Sequence, residues 1–367
     1  MKERIYLAPP NIDQKEKDSI LSAIDSGWIA PMGPSLDEFE RMLSAHFQGR
    51  KVLLLNSGTS ALHLSLILAG VGEGNTVITS SLTFAACANV ILYQKAIPVF
   101  MDNENETWNL DPEVLASYLE IAHEKPKAII VTHLYGVPAK IKLIKKIAEK
   151  YDIKLIEDAA EALGSTIHGN QVGSFGEFGV VSFNGNKIIT TSGGGALICN
   201  EENYARGLHI ATQANRGAGE YDHDMVGYNY RMSNILAGLG ESQFGKLDDF
   251  LIAKRNILNV YKMHLSDYFL FPKELDFNAS NHWLTTGLIK SDHRPTDLIV
   301  WLEKDNIESR RLWKPLHLHK AYQSFKFHGD GVCVDLFQKG VCLPSGTGLS
   351  EELQLKVISS IQKFFES

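Results

Sequence analysis

A chain of 367 residues, 44% apolar and 22% charged, can bury a large core and predicts two domains, or one large α/β domain with an appendage. The net charge of -7, with only isolated basic pairs such as Lys145-Lys146 and Arg310-Arg311, argues against a nucleic-acid binder. No apolar run approaches the roughly 20 residues of a membrane span, and Met1-Lys-Glu-Arg-Ile-Tyr-Leu7 lacks the apolar segment of a secretory signal, so the expectation is a cytoplasmic protein without membrane partners.

In chain order, β-rich apolar runs predict strands at Val52 to Leu55, Thr76 to Ser80, Ile97 to Met101, Ala128 to Thr132, Lys154 to Glu157, Val180 to Phe183 and Ala196 to Cys199. Most are separated by helix-length amphipathic stretches, the pattern of a mostly parallel sheet covered on both faces. After about residue 240 the character changes. A long charged helix is expected from Leu236 to Tyr268, with a possible break, and a terminal helix from Glu351 to Phe365. The expected division is a large domain over residues 1–240 and a smaller C-terminal domain over 241–367. Cys87, Cys199, Cys333 and Cys342 have no C-x-x-C spacing and lie among apolar neighbours, as buried free thiols do.

Ligand sites in such sheets gather at the C-terminal ends of strands, and several polar motifs fall there. Asn56-Ser-Gly58-Thr59-Ser60 opens a helix directly after a strand. It reads either as a plain Ser/Thr cap or as a phosphate cradle of free amides, with Gly58 allowing close approach and Thr59 and Ser60 adding hydroxyls. Phe84 follows the next strand, as a core aromatic or as a ring that stacks on a ligand.

Asp158, after Leu155-Ile-Glu157 and before Ala-Ala, is expected at a crowded strand end. It is a helix cap there, or a carboxylate that needs a cationic partner such as a pyridinium. Glu161, three residues on, could face the same ligand. Lys187 closes Ser182-Phe-Asn184-Gly-Asn-Lys187 and precedes Gly193-Gly-Gly195. The order of glycines and lysine excludes a Walker-type loop. A lysine able to lose its proton, paired with an aspartate that keeps a pyridine nitrogen protonated, is the chemistry of a pyridoxal 5'-phosphate aminotransferase. Ser182 could give its hydroxyl to the phosphate.

These motifs, taken in order with Glu157-Asp-Ala-Ala-Glu-Ala-Leu-Gly164, Gly173-Ser-Phe-Gly-Glu-Phe-Gly179, Gly227-Tyr-Asn229-Tyr-Arg231-Met and Pro315-Leu-His317, resemble the DegT/StrS family of nucleotide-sugar aminotransferases over nearly the whole chain. The resemblance implies the aspartate-aminotransferase (fold type I) architecture and a homodimer with shared active sites. Residue by residue, Lys187 resembles the Schiff-base lysine, Asp158 the pyridinium partner, Phe84 the stacking ring, and Gly58, Thr59 and Ser182 the phosphate binders. Asn229 resembles the asparagine that reaches the neighbouring subunit's phosphate. Asn184 and Glu161 stand where many members have His and Gln, which resembles the branch that makes UDP-N-acetylbacillosamine.

The implied reaction moves an amino group from L-glutamate to a UDP-linked 4-keto-6-deoxy-N-acetylhexosamine. Trp28, Arg231, His317 and Lys339 are the candidates for holding the sugar nucleotide by its non-reacting parts. Arg231 could instead form a salt bridge, and Trp28 could be core. Other readings are the same chemistry on a different 3-keto or 4-keto sugar nucleotide, such as a dTDP-linked one, or a regulatory pyridoxal-phosphate protein without turnover. His317-x-His319 has no third ligand near it in sequence, so no metal is expected.

Overall fold

The computed structural model describes residues 4–217 and 221–367. Two helices come first, α1 (Gln14–Asp25) and α2 (Pro34–His46). A capping box starts α1, in which the Asp13 carboxylate accepts from the Lys15 amide and Glu16 accepts from the Asp13 amide; Pro34 supplies the fixed φ of a first turn to α2. Strands and helices then alternate: β1 (Lys51–Leu55), α3 (Gly58–Leu68), β2 (Thr76–Ser80), α4 (Ala86–Tyr93), β3 (Ile97–Met101), α5 (Pro112–Ile121), β4 (Ala128–Thr132), α6 (Ile141–Lys150) and β5 (Lys154–Asp158). A short pair, β6 (Thr166–Ile167) and β7 (Asn170–Gln171), precedes β8 (Phe178–Ser182), β9 (Gly195–Cys199) and α7 (Glu201–Ala211).

The large sheet has the order β1-β9-β8-β5-β4-β2-β3, and β9 runs antiparallel to both of its neighbours while the other pairs are parallel. Its strands are continuous apolar runs because both faces are covered. Leu53 and Leu55 pack with α3 and α4 residues on one side, and Val52 and Leu54 pack with α2 residues on the other. One strand departs from expectation: β8 begins at Phe178 rather than Val180. Gly179 lies within it because a Cβ there would meet the Gly173 carbonyl oxygen, so a residue that reads as a breaker is required for close backbone packing.

The expected long helix is two, α8 (Asn234–Phe244) and α9 (Leu247–Leu265), separated at Gly245-Lys246. Beyond them come β10 (Phe269–Leu270), β11 (Asn278–Ala279), β12 (Thr285–Ile289), α10 (Pro295–Lys304), β13 (Arg310–Arg311), β14 (Phe327–His328), α11 (Val332–Lys339), β15 (Gly340–Leu343) and α12 (Glu351–Glu366). An antiparallel sheet of order β10-β12-β15-β13 packs against α9, α10 and α12 through Tyr261, Leu298, Val341 and Val357.

Several connections cross residue 240, among them the antiparallel pairing of β11 with β6. Ile5 bridges to Ile307 and joins this C-terminal core. In the other direction, β14 adds to the edge of the large sheet beside β3. Asp102 at the end of β3 accepts from the amides of Gly331, Val332 and Cys333 at the start of α11, which holds the segment between residues 313 and 333 over the C-terminal ends of the large-sheet strands.

Candidate active site

The strand ends converge on a cavity of about 300 Å³ lined by residues from seven chain segments, among them Gly58, Thr59, Phe84, Asp158, Glu161, Ser182, Asn184 and Lys187. At the start of α3 the Ser57 hydroxyl accepts from the Ser60 amide, the ordinary cap geometry. The amides of Gly58 and Thr59 have no acceptor within the helix and carry its partial positive charge. Gly195 passes so close that a Cβ on it would lie 2.4 Å from the Gly58 nitrogen. The Gly193-Gly-Gly195 run therefore seats the β8–β9 connection against the helix start, with Gly193 and Gly194 on the cavity wall.

Asp158 ends β5 and is almost fully buried. One carboxylate oxygen accepts from the Ala160 amide at 3.1 Å and the other from the Cys87 thiol at 3.1 Å. Burial and the neighbouring Asp158 charge push the Cys87 thiol well above its usual range, so it remains a proton donor to that oxygen. Its neighbour Glu157 points to the opposite face, as strand alternation requires. Glu157 accepts from His133 Nε2 and from the amides of Gly173, Phe175 and Gly176. His133 Nδ1 accepts from the Ala139 amide, which turns Nε2 and its proton toward Glu157. Burial alone would push the Glu157 carboxyl up, but the His133 and amide bonds outweigh it and hold it below its usual value.

Lys187 lies on the cavity floor with only 12% of its side chain exposed, its Nζ 3.8 Å from Glu161 Oε1 and 3.8 Å from the centroid of the Trp283 ring. Burial pulls its pKa down against the opposing charges of Glu161 and Asp158, the direction that favours a free amine. Burial pushes Glu161 up against the Lys187 charge. Glu161 also accepts from the Tyr135 amide at 2.7 Å and from Trp313 Nε1 at 3.3 Å. Tyr135 lies between Trp283 and Trp313, with each ring pair within 17° of parallel. The two tryptophans line the cavity, and Phe84, half exposed at its mouth, meets Trp313 at 5.3 Å between centroids.

Several expected site residues lie elsewhere. The Ser60 hydroxyl donates to Asn56 Oδ1 at 2.6 Å and sits within the cap, outside the cavity lining. Arg231, expected to hold the sugar nucleotide or to form a salt bridge, pairs with Glu40 at 2.6 Å within this chain and donates to the Leu54 carbonyl. Its charge is matched by an internal carboxylate, the salt-bridge alternative. Trp28 is half exposed beside the start of α2, and its carbonyl accepts from Asn234. His317 Nδ1 meets Ser81 Oγ at 2.6 Å and its ring stacks on Phe327, while Lys339 is exposed at the end of α11. Asn229 is exposed, its carbonyl accepting from Asn56 Nδ2. None of these four lines the cavity. His319 Nε2 turns to the Lys314 carbonyl, and among the described residues no group of three or more His, Cys, Asp or Glu could hold a metal ion. No helix among them is long and apolar enough to cross a membrane.

Sequence reading missed Trp283 and Asn186 as lining residues. Trp313 stands two residues before the Pro315-Leu-His317 motif, whereas Trp283, 96 positions from Lys187, follows only an unremarkable polar run, Asn278-Ala-Ser-Asn-His282.

The donor set fits pyridoxal phosphate. Free amides and a serine hydroxyl stand at one end of the cavity, a buried carboxylate in its wall, a buried amine on its floor, and an aromatic ring at its mouth. Comparison with known proteins agrees. The sequence profile of the DegT/DnrJ/EryC1/StrS aminotransferase family matches residues 10–362. EpsN of Bacillus subtilis (strain 168), described as a pyridoxal phosphate-dependent aminotransferase, is 44% identical over 100% of this chain and 97% of its own. GDP-perosamine synthase of Escherichia coli O157:H7 is 35% identical over 97% of each chain. Among solved structures, the PLP form of the Streptococcus pneumoniae sugar aminotransferase Spr1654 superposes with a TM-score of 0.92 at 28% identity, over 99% of each chain. With the profile spanning nearly every element that builds the cavity, the chain belongs to the DegT/DnrJ/EryC1/StrS aminotransferase family, whose members are pyridoxal phosphate-dependent sugar aminotransferases.

Proposed function

We propose that the chain transfers the amino group of L-glutamate to C-4 of a UDP-linked 4-keto-6-deoxy-N-acetylhexosamine, a precursor step of the UDP-N-acetylbacillosamine type. The observation that carries this reading is the pair Glu161 and Asn184, the two departures from the commoner Gln and His, which line the same cavity as Lys187. A second reading, a GDP-linked keto sugar, is favoured by the 35% identity to GDP-perosamine synthase.

Bound pyridoxal phosphate supplies an aldehyde that exchanges amines and a ring that withdraws electrons from the reacting carbon. Lys187 Nζ supplies the amine that holds it and afterwards carries a proton between carbon centres as general base and acid. The Asp158 carboxylate holds a proton at the ring nitrogen, backed by the Cys87 thiol. The amides of Gly58 and Thr59 and the Ser182 hydroxyl hold the phosphate. Phe84 and Trp313 exclude water at the mouth. Glu161 sets the charge next to Lys187. Asn229, exposed and away from this cavity, reaches the phosphate of a second subunit's cofactor in a homodimer with shared sites. Trp28, His317 and Lys339 serve the sugar nucleotide. Residues 1–240 and 241–367 form the large and small domains, with the cavity floor in the first and Trp283 and Trp313 contributed by the second.

The test is an absorbance titration. Protein converted to the pyridoxamine form with L-glutamate is mixed with UDP-linked 4-keto-6-deoxy-N-acetylglucosamine, and in parallel with a GDP-linked 4-keto hexose. Return of the aldehyde-form absorbance with a new amino sugar identifies the acceptor. An unchanged spectrum with the UDP sugar rejects it, and no reaction with glutamate rejects the donor.

A further inference from the structure

Behind Lys187, on the side away from the cofactor cavity, lies a second lysine that the reaction does not use. Lys254, on α9, is almost fully buried. No carboxylate among the described residues offsets its burial, which pulls its pKa down to about 7. Unpaired buried lysines are rare because desolvating an ammonium is costly, so such a group calls for a reason.

Its contacts supply one. Lys254 Nζ donates to the carbonyl of Trp283 at 2.7 Å and to the carbonyl of Ser345. These carbonyls belong to chain segments 62 positions apart, and a side chain with three N–H donors on a long stem can join them from a third. Trp283 is the residue whose ring lies against Lys187 Nζ. Its indole N–H donates to the carbonyl of Asn186, the residue before Lys187, and its amide donates to Asn281 Oδ1. Lys254, Lys187 and Asn186 also line one small cavity with Asn11, Gln243 and Thr347. The chain of contacts therefore runs from α9 through Trp283 to both the side chain and the preceding backbone of Lys187.

We propose that Lys254 is a positioning residue for the catalytic lysine, fixing Trp283 so that its indole face stays against Lys187 Nζ. An aromatic face favours a cation over a neutral amine. The position of the ring thereby sets both the orientation and the proton affinity of the group that moves protons in transamination. This rests on the assignment of Lys187 as the lysine that holds the cofactor, and that assignment is checked first: borohydride reduction of the holoenzyme followed by peptide mapping locates the modified lysine. Attachment at any position other than 187 overturns the assignment and the proposal with it.

With attachment at Lys187 established, the holoenzymes of Lys254→Met, Trp283→Phe and the double variant are compared by the pH midpoint of the bound cofactor's absorbance change, by kcat and by KM for the sugar nucleotide. In Lys254→Met the midpoint should fall by about 0.4 to 1.5 pH units, the range expected when a cation–aromatic interaction is weakened or removed. The same variant should lose kcat with KM little changed, and the double variant should match Trp283→Phe alone, because both act through one ring. A wild-type midpoint in Lys254→Met, or effects that add in the double variant, overturns the proposal and leaves Lys254 a structural tie only. Should Lys254→Met fail to fold, Lys254→Gln, whose amide nitrogen stands one bond short of the Nζ position and carries two N–H groups in place of three, so that it loosens the clamp, decides in its place: a midpoint between those of the wild type and Trp283→Phe supports the clamp and a wild-type one overturns it.

Discussion

Gly195 and the first turn of α3 approach each other backbone to backbone, which makes Gly195→Ala a quantitative test of the phosphate cradle. A Cβ on Gly195 would lie 2.4 Å from the Gly58 nitrogen, 2.5 Å from the Ser57 carbonyl carbon and 2.7 Å from Gly58 Cα. All three are backbone atoms, so no rotamer can relieve the clash. Restoring ordinary contact needs a separation of roughly 1 Å, and such overpacking costs about 1–3 kcal/mol of stability. The atoms displaced are the ones expected to bind phosphate. An amide moved by roughly 1 Å no longer makes a hydrogen bond. Loss of one bond to a charged acceptor, about 1.5–3 kcal/mol, weakens cofactor binding about 10- to 150-fold. The assay is absorbance titration of the cofactor-stripped protein with pyridoxal phosphate, alongside a melting curve. Gly185→Ala is the control, since the nearest atom its Cβ meets is the Ser192 carbonyl oxygen at 3.9 Å. Unchanged affinity and melting in Gly195→Ala, or an equal loss in Gly185→Ala, would refute the steric argument.

Three further outcomes follow from the same geometry. Lys187→Ala removes the buried amine on the floor of the cofactor cavity and should lower turnover by at least about 100-fold while the circular dichroism stays native; wild-type-like turnover would show that the site is misassigned. Glu161→Gln removes the carboxylate 3.8 Å from Lys187 Nζ, an anion that favours the ammonium, so burial should lower the lysine pKa further. The neutral fraction near pH 7 then rises and the stripped variant should capture cofactor faster there; a midpoint for capture that moves to higher pH would contradict the charge argument. Glu157→Gln sets an amide NH₂ against two donors whichever way it is placed, either the Phe175 and Gly176 amides or His133 Nε2 and the Gly173 amide. At about 1–3 kcal/mol for each unsatisfied group, chemical denaturation should report a loss of about 2–6 kcal/mol, and a loss below about 1 kcal/mol would count against it.

Much of the sheet is legible in the sequence because its signal is local. Strands buried on both faces must be continuous apolar runs, and Thr76–Ser80, Ile97–Met101 and Ala128–Thr132 show this with matching ends. The site is legible for a related reason: strand ends carry its residues, so Asp158, Ser182 and the α3 start can be read from where each apolar run stops. Gly179 marks the limit. Its place inside β8 depends on the Gly173 carbonyl, a contact that no local pattern records.

For some of the remaining residues the surroundings are set by one partner that the local pattern does not name. Arg231 reads as a cation free to meet a substrate phosphate until Glu40, 191 positions earlier, is seen to hold it. Ser60 reads as a phosphate donor, yet the cap has an acceptor of its own in Asn56. The reverse holds for Cys87, whose apolar neighbours predict an inert core thiol. It is buried, as expected, but the fold brings Asp158 to within 3.1 Å of its sulfur. Its thiol pKa, pushed well above the usual range by burial, is then what matters, since it keeps the proton directed at a carboxylate that lines the cavity. A buried polar group acquires its function from the partner that satisfies it. For that reason Lys187, five residues beyond the end of β8, could be proposed from the sequence, whereas Lys254 and Trp283, 67 and 96 positions away, become visible only in the fold.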